Sequence, residues 1–150
     1  MQWAAENLPN QTLYSLGDDD VLVNLTGLQL LVEETMIHFS NKSVSPIICV
    51  YGGRVNSRAC RKLKSKNYIS EKEYASKFYP RYCLGGYYTT NVETVAKLYA
   101  KSKMEPLLPV DDVWITGILR KNQISRMMPL LSMIRKVLQL IKKGNYSSNV

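Results

Sequence analysis

The chain has 150 residues, with 20 Lys and Arg against 12 Asp and Glu, for a net charge of +8. That length suits one domain with a real core, and 45% hydrophobic content excludes a disordered or collagen-like chain. Three cysteines without a CxxC pair exclude a disulfide-rich scaffold and a zinc knuckle, and no apolar run is long enough to span a membrane. The first ten residues, MQWAAENLPN, lack the basic and apolar regions of a signal peptide.

The charge is unevenly placed. Residues 1–50 hold one base and six acids, net −5, whereas residues 51–81 hold nine bases and two acids, net +7. Residues 82–120 balance, and residues 121–150 carry six bases and no acid. A basic segment can meet phosphate, nucleic acid or an anionic surface, or simply be a solvated face. The 51–81 stretch has no nucleic-acid motif, and an acid triplet would oppose phosphate, so no nucleic-acid partner is expected.

In chain order, TLYSL (12–16) reads as a strand, Asp18-Asp19-Asp20 as an acidic turn, and residues 21–23 as a second extended piece. Leu28, Leu31, Val32 and Thr35 have helical spacing, which predicts a helix over 27–38. IICVY (47–51), bounded by Gly52-Gly53, predicts a buried strand. Residues 54–82 show no clean period. Thr90 and Glu93 fit a capping box, which opens a helix to about residue 103 with Val92, Val95, Ala96 and Tyr99 on one face. Asp111-Asp112 open another helical segment, VWITGILRK. Residues 129–142 predict an amphipathic basic helix, with Pro129 near its start. Strands alternating with helices predict an α/β class.

Three clusters carry chemistry. Adjacent carboxylates at Asp18, Asp19 and Asp20 repel one another unless a cation sits there, and a hard ion such as Mg²⁺ or Mn²⁺ takes carboxylate oxygens. The bland alternative is a solvated turn. Asp111-Asp112 before an apolar helix can hold a half-desolvated carboxylate that accepts a proton, or merely cap the helix. Tyr79-Pro80-Arg81-Tyr82-Cys83-Leu84-Gly85-Gly86-Tyr87-Tyr88 combines flat aromatic faces with glycines that let backbone approach a ligand. It also reads as a hairpin turn with aromatic packing.

These clusters, in this order over residues 3–120, resemble the β-1,3-galactosyltransferase family with its N-acetylglucosaminyltransferase and fringe relatives. The resemblance implies a partial GT-A fold, a mixed sheet flanked by helices, lacking the first nucleotide-binding βαβ portion, as in a truncated or degenerate copy. Residues 1–125 would be the C-terminal part of the catalytic domain and 126–150 a basic helical tail. It implies an inverting, metal-dependent hexosyltransferase of the Golgi membrane, lumenal side, with a UDP-sugar donor and an acceptor glycan. In that reading Asp20, aided by Asp18, holds Mn²⁺ or Mg²⁺. Asp18, Asp19, Tyr82, Gly85 and Gly86 face the donor and its sugar. Asp112 is the catalytic base with Asp111 beside it. Four Asn-x-Ser/Thr sequons, at Asn10, Asn24, Asn41 and Asn145, suit a lumenal protein.

The sequence departs from the family at several points. Leu16 and Gly17 replace a lysine-containing lead into the triplet. Tyr87 stands where a third glycine is common. Ile118 replaces a cysteine, which leaves Cys83 without its family partner. No histidine follows His38. The missing front portion and the absent late histidine favour the competing expectation, a non-catalytic remnant with a folding or interaction role only.

Overall fold

A computed structural model describes residues 1–39, 47–49, 53–121 and 127–129. The predicted basic helix from residue 130 onward lies outside the described residues. The elements in order are α1 (Gln2–Asn7), β1 (Leu13–Gly17), α2 (Leu25–Phe39), β2 (Ile47–Cys49), β3 (Gly53–Arg54), β4 (Tyr82–Cys83), β5 (Tyr87–Asn91), α3 (Val92–Ser102), α4 (Val113–Leu119) and β6 (Met127–Pro129). Four strands form a mixed sheet in the order β1-β5-β2-β6, and β3 pairs with β4 in a separate two-stranded sheet. β5 runs antiparallel to both β1 and β2, while β2 and β6 run parallel. Helices and a small mixed sheet make the chain an α/β protein.

The period of two along the strands builds two cores. Ile48 and Tyr87 face Leu28 and Val32 of α2. Ile47, Cys49 and Tyr88 face the opposite side, where they join Leu98 of α3 and Val113, Ile115 and Leu119 of α4. β5 is buried along its whole length and is the centre of the sheet. Its tyrosines and threonines are strong strand formers, which is why the segment after Gly85-Gly86 is a strand and not merely part of a turn.

Local chemistry sets the ends of the helices. Asn24 caps α2, because its Oδ1 accepts from the Gly27 N–H at 2.9 Å. Asn91 caps α3 by accepting from the Thr94 N–H at 3.0 Å. The capping box expected at Thr90 is therefore displaced by one residue. Thr90 is fully buried in β5, and Glu93 pairs with Lys97 at 2.7 Å instead. The buried face of α3 is Val92, Thr94, Val95 and Leu98, with Ala96 and Tyr99 only half-buried.

Three further expectations are corrected. Residues 21–23 form no strand; the Val21 N–H donates to the Asp18 carbonyl at 3.2 Å and closes the acidic turn. Pro129, expected near the start of a helix, lies instead in strand β6 beside Cys49. With Ile118 in place of the cysteine expected from the resemblance, Cys83 is not left free: it is disulfide-bonded to Cys49, 34 residues away, with the Cα atoms 5.2 Å apart.

Candidate functional site

A cleft of about 420 Å³ opens where the end of β1, the turn between β4 and β5, and the start of α4 converge. Its walls include Asp18, Tyr82, Gly85, Gly86, Asp111 and Asp112. The structure thus brings together six residues drawn from all three sequence clusters. Asp19 and Asp20 lie in the exposed turn after β1 and do not line the cleft.

Asp112 is the best-held of the acids. Its Oδ1 accepts from the Val113 N–H at 2.7 Å, and its Oδ2 from the Gly85 N–H at 3.1 Å. Burial pushes its carboxyl above the ordinary aspartate range, the two N–H donors pull it back, and the Asp111 and Asp18 carboxylates push it up further. Asp111 is exposed, and its Oδ1 accepts from the Asp112 N–H at 2.8 Å. The two neighbours therefore differ: one is fixed and half-buried in the cleft, while the other shapes the turn that presents it.

α4 is wound as a π-helix from Val113 to Leu119, an irregularity often found where a chain must place particular groups. Thr116 at its middle is fully buried. Its hydroxyl donates to the Asp112 carbonyl at 2.6 Å and accepts from the Cys83 N–H at 2.8 Å. This one side chain ties the aspartate turn to β4. Gly117 permits the same approach, because a Cβ there would meet Tyr82 Cβ at 3.1 Å and Pro80 Cγ at 3.3 Å. The Cys49–Cys83 disulfide anchors the same residue of β4 to the main sheet.

The glycine turn is built for closeness. Gly86 has φ of 77°, a conformation that favours glycine, and its carbonyl accepts from the Asp18 N–H at 2.8 Å. That bond sets the acid triplet's first residue beside the Gly85-Gly86 turn. Gly17 pairs across the strands with Tyr87, whose ring fills the space a Cβ at position 17 would need. Two of the departures seen in the sequence, Gly17 and Tyr87, therefore fit one another.

Sequence reasoning missed several cleft residues. Ser57, Arg58, Cys60, Lys66 and Asn67 come from the irregular basic stretch and also line the cleft. The Ser57 Oγ lies 3.3 Å from the Tyr82 hydroxyl, which donates to it. Cys60 is a free thiol, lowered from the ordinary range by hydrogen bonding from Ser65 and the Lys62 backbone. Tyr79 and Tyr88 also line the cleft, and their buried hydroxyls have no partner at hydrogen-bond distance among the described residues. Burial raises both phenols, with the Asp111 charge adding to the effect at Tyr88. Tyrosine crowding between 68 and 88 and the excess of bases in 51–81 were the sequence signals for this wall.

Among the described residues no group of three or more His, Cys, Asp or Glu is placed to hold a metal ion. Hard carboxylate oxygens at Asp18 and Asp20 suit Mg²⁺ or Mn²⁺ chemically, so an ion there needs oxygens from a substrate and water to complete its shell. No helix among the described residues is long and apolar enough to cross a membrane.

The mixed sheet and its flanking helices define an α/β protein, and its cleft is walled in part by acids, glycines and tyrosines. Comparison with known proteins is more specific: the chain belongs to the galactosyltransferase family, whose model matches residues 1–129. It is 27% identical over 117 residues to a mouse acetylgalactosaminyl-O-glycosyl-glycoprotein beta-1,3-N-acetylglucosaminyltransferase, covering 77% of this chain and 28% of that protein. It is 26% identical over 123 residues to human beta-1,3-galactosyltransferase 9, covering 81% of this chain and 31% of that protein. Against a fruit-fly (Drosophila melanogaster) beta-1,3-galactosyltransferase the identity is 26% over 125 residues, covering 83% and 37% respectively. The matched part of the chain thus corresponds to about a third of each of these relatives.

Proposed function

We propose that this chain carries the base and sugar-pocket part of an inverting β-1,3-glycosyltransferase of the GT-A type. In this reading it moves a hexose from a UDP-sugar to a hydroxyl of an acceptor glycan in the Golgi lumen. The relatives' names support glycosyl transfer. The observation that carries the reading is Asp112: a half-buried carboxylate in the cleft, fixed by two backbone donors and raised in pKa.

The chemistry follows from that placement. The acceptor hydroxyl gives its proton to the Asp112 carboxylate as its oxygen bonds to the anomeric carbon. The bond from that carbon to the diphosphate oxygen breaks, and its electron pair leaves with UDP. Attack from the face opposite the leaving group inverts the anomeric centre. The raised pKa makes Asp112 a stronger base than an ordinary aspartate. Tyr82, Gly85 and Gly86 shape the sugar's berth. Asp18 and Asp19 approach the donor nucleotide, and Asp20 with Asp18 would hold Mn²⁺ or Mg²⁺, which when bound offsets the charge on the departing diphosphate.

The test is thermal unfolding of the chain with UDP, with and without Mn²⁺, beside an Asp20→Ala variant. A ligand that binds only the folded state raises its melting temperature. The reading expects a UDP-induced rise that needs both Mn²⁺ and Asp20. A rise that ignores both, or none at all, contradicts the donor site.

A further inference from the structure

The mechanism uses the acids of the cleft and leaves its basic wall unexplained. Residues 51–81 carry nine Lys and Arg against two Glu. One of these bases is structural: the Arg61 guanidinium donates to the Ile69 and Tyr74 carbonyls at 2.6 Å each and to the Ser76 carbonyl at 3.2 Å. Neutral carbonyls satisfy its donors but leave its charge uncompensated. Arg58 and Lys66 are placed differently, because both line the cleft. The ion pairs found among the described residues are Lys97–Glu93 and Lys101–Glu105, so neither Arg58 nor Lys66 is neutralised by a carboxylate there. The Arg58 guanidinium lies over the Phe78 ring, 5.6 Å from its centre, a cation–π contact that steadies the group without neutralising its charge.

Neutral donors share this wall. Ser57 and Asn67 line it, and so does Tyr79, whose residue is 8% exposed and whose hydroxyl lacks a partner. A concave wall with two uncompensated cations focuses a positive field and attracts an anion. A planar guanidinium and an ammonium together match the oxygens of a sulfate ester or carboxylate.

We propose that this wall is an oxyanion subsite for the acceptor, so that the acceptor glycan is an acidic one bearing a sulfate ester or a carboxylate. The inference rests on the glycosyltransferase reading of the cleft. The donor's diphosphate is the other source of oxyanion, and it is assigned above to the acid triplet and its cation.

The experiment titrates the full chain by NMR with lactose 6′-sulfate, with lactose, and with UDP plus Mn²⁺. An Arg58→Gln/Lys66→Gln variant is titrated in parallel. Both residues are exposed, so the fold should tolerate the change. Charge-assisted hydrogen bonds to one oxyanion predict that the sulfated sugar binds the wild-type chain about tenfold or more tightly than lactose. That margin should shrink as salt is added and vanish in the variant, while the UDP affinity stays the same. Equal affinities for the two sugars, or a margin that survives in the variant, overturn the subsite. A variant that loses UDP affinity by the same factor assigns the cations to the donor diphosphate and also overturns it. Failure of UDP to bind the wild-type chain contradicts the functional reading instead, and a sulfate margin that persists there still upholds the subsite.

Discussion

Thr116 offers the sharpest test of how the cleft is held together. Thr116→Val keeps the side chain's shape and removes only the hydroxyl. Two hydrogen bonds disappear, the donation to the Asp112 carbonyl at 2.6 Å and the acceptance from the Cys83 N–H at 2.8 Å. The Cys83 N–H is enclosed by a residue only 1% exposed and is left with no acceptor. An unsatisfied buried donor costs about 1–3 kcal/mol, partly offset because the hydroxyl itself no longer has to be desolvated. The expected loss is about 2 kcal/mol, read from urea unfolding with the disulfide intact. Thr116→Ser removes one methyl, keeps both bonds, and should lose about 1 kcal/mol or less. A valine variant as stable as wild type, or a serine variant as unstable as the valine one, would refute the bridging role.

Three other outcomes follow from the geometry. The Cys49–Cys83 bond closes a loop of 34 residues, so a Cys49→Ser/Cys83→Ser variant should lose about 4 kcal/mol of stability by the loop-entropy relation, measured by denaturant unfolding. Gly17→Ala should destabilise by about 1–3 kcal/mol, because the Tyr87 ring is pinned against Leu28, Val32 and Ile48 and cannot swing aside; a Tyr87→Ala background should absorb part of that cost, which a double-mutant cycle reads as non-additivity. For pH, burial raises the Asp112 carboxyl, so the proposed base is lost by protonation at a higher pH than an ordinary aspartate would be. The acid limb of a transfer-rate profile should sit above the ordinary aspartate value of 3.8. The same shift disfavours the ionised form in the folded state, so this group's contribution to stability falls as pH rises through that window and is fully relieved below the unfolded value.

The parts of the fold that depend on local pattern were legible in the sequence. Apolar spacing in 27–38 marked α2, the β-branched run at Ile47 marked β2, and the acids at 111–112 marked the start of α4. The cap of α3 slipped by one residue because two adjacent side chains were eligible. Thr90 is committed to a buried strand, which leaves Asn91 at the turn with its carbonyl oxygen facing the Thr94 N–H. β5 was hidden by its neighbours, since Gly85-Gly86 suggested that the tyrosines belonged to a turn.

The site was legible in its acids and glycines and not in its supports. Asp18, Tyr82, Gly85, Gly86, Asp111 and Asp112 stood out because three clusters, each with an ordinary reading by itself, follow one another in the order of a known family. Thr116 did not, because one hydroxyl within VWITGIL has no periodic signal. Nor did the disulfide, because pairing across 34 residues is a property of the folded sheet. The basic wall was noticed only as a charge imbalance; the loop that brings Arg58 and Lys66 to the cleft is irregular and leaves no period to read. Asp19 and Asp20, prominent as part of a triplet, remain outside the cleft lining in the exposed turn.

The central claim is that Asp112 takes the proton of an acceptor hydroxyl. Its most direct test is sugar transfer from UDP-sugars to a glycan acceptor, compared between the chain and its Asp112→Asn variant, with UDP and Mn²⁺ binding followed on the same samples. The account predicts a loss of about 10²–10⁴-fold in turnover, the range of a general base, with UDP affinity retained. Equal turnover in the variant would contradict it.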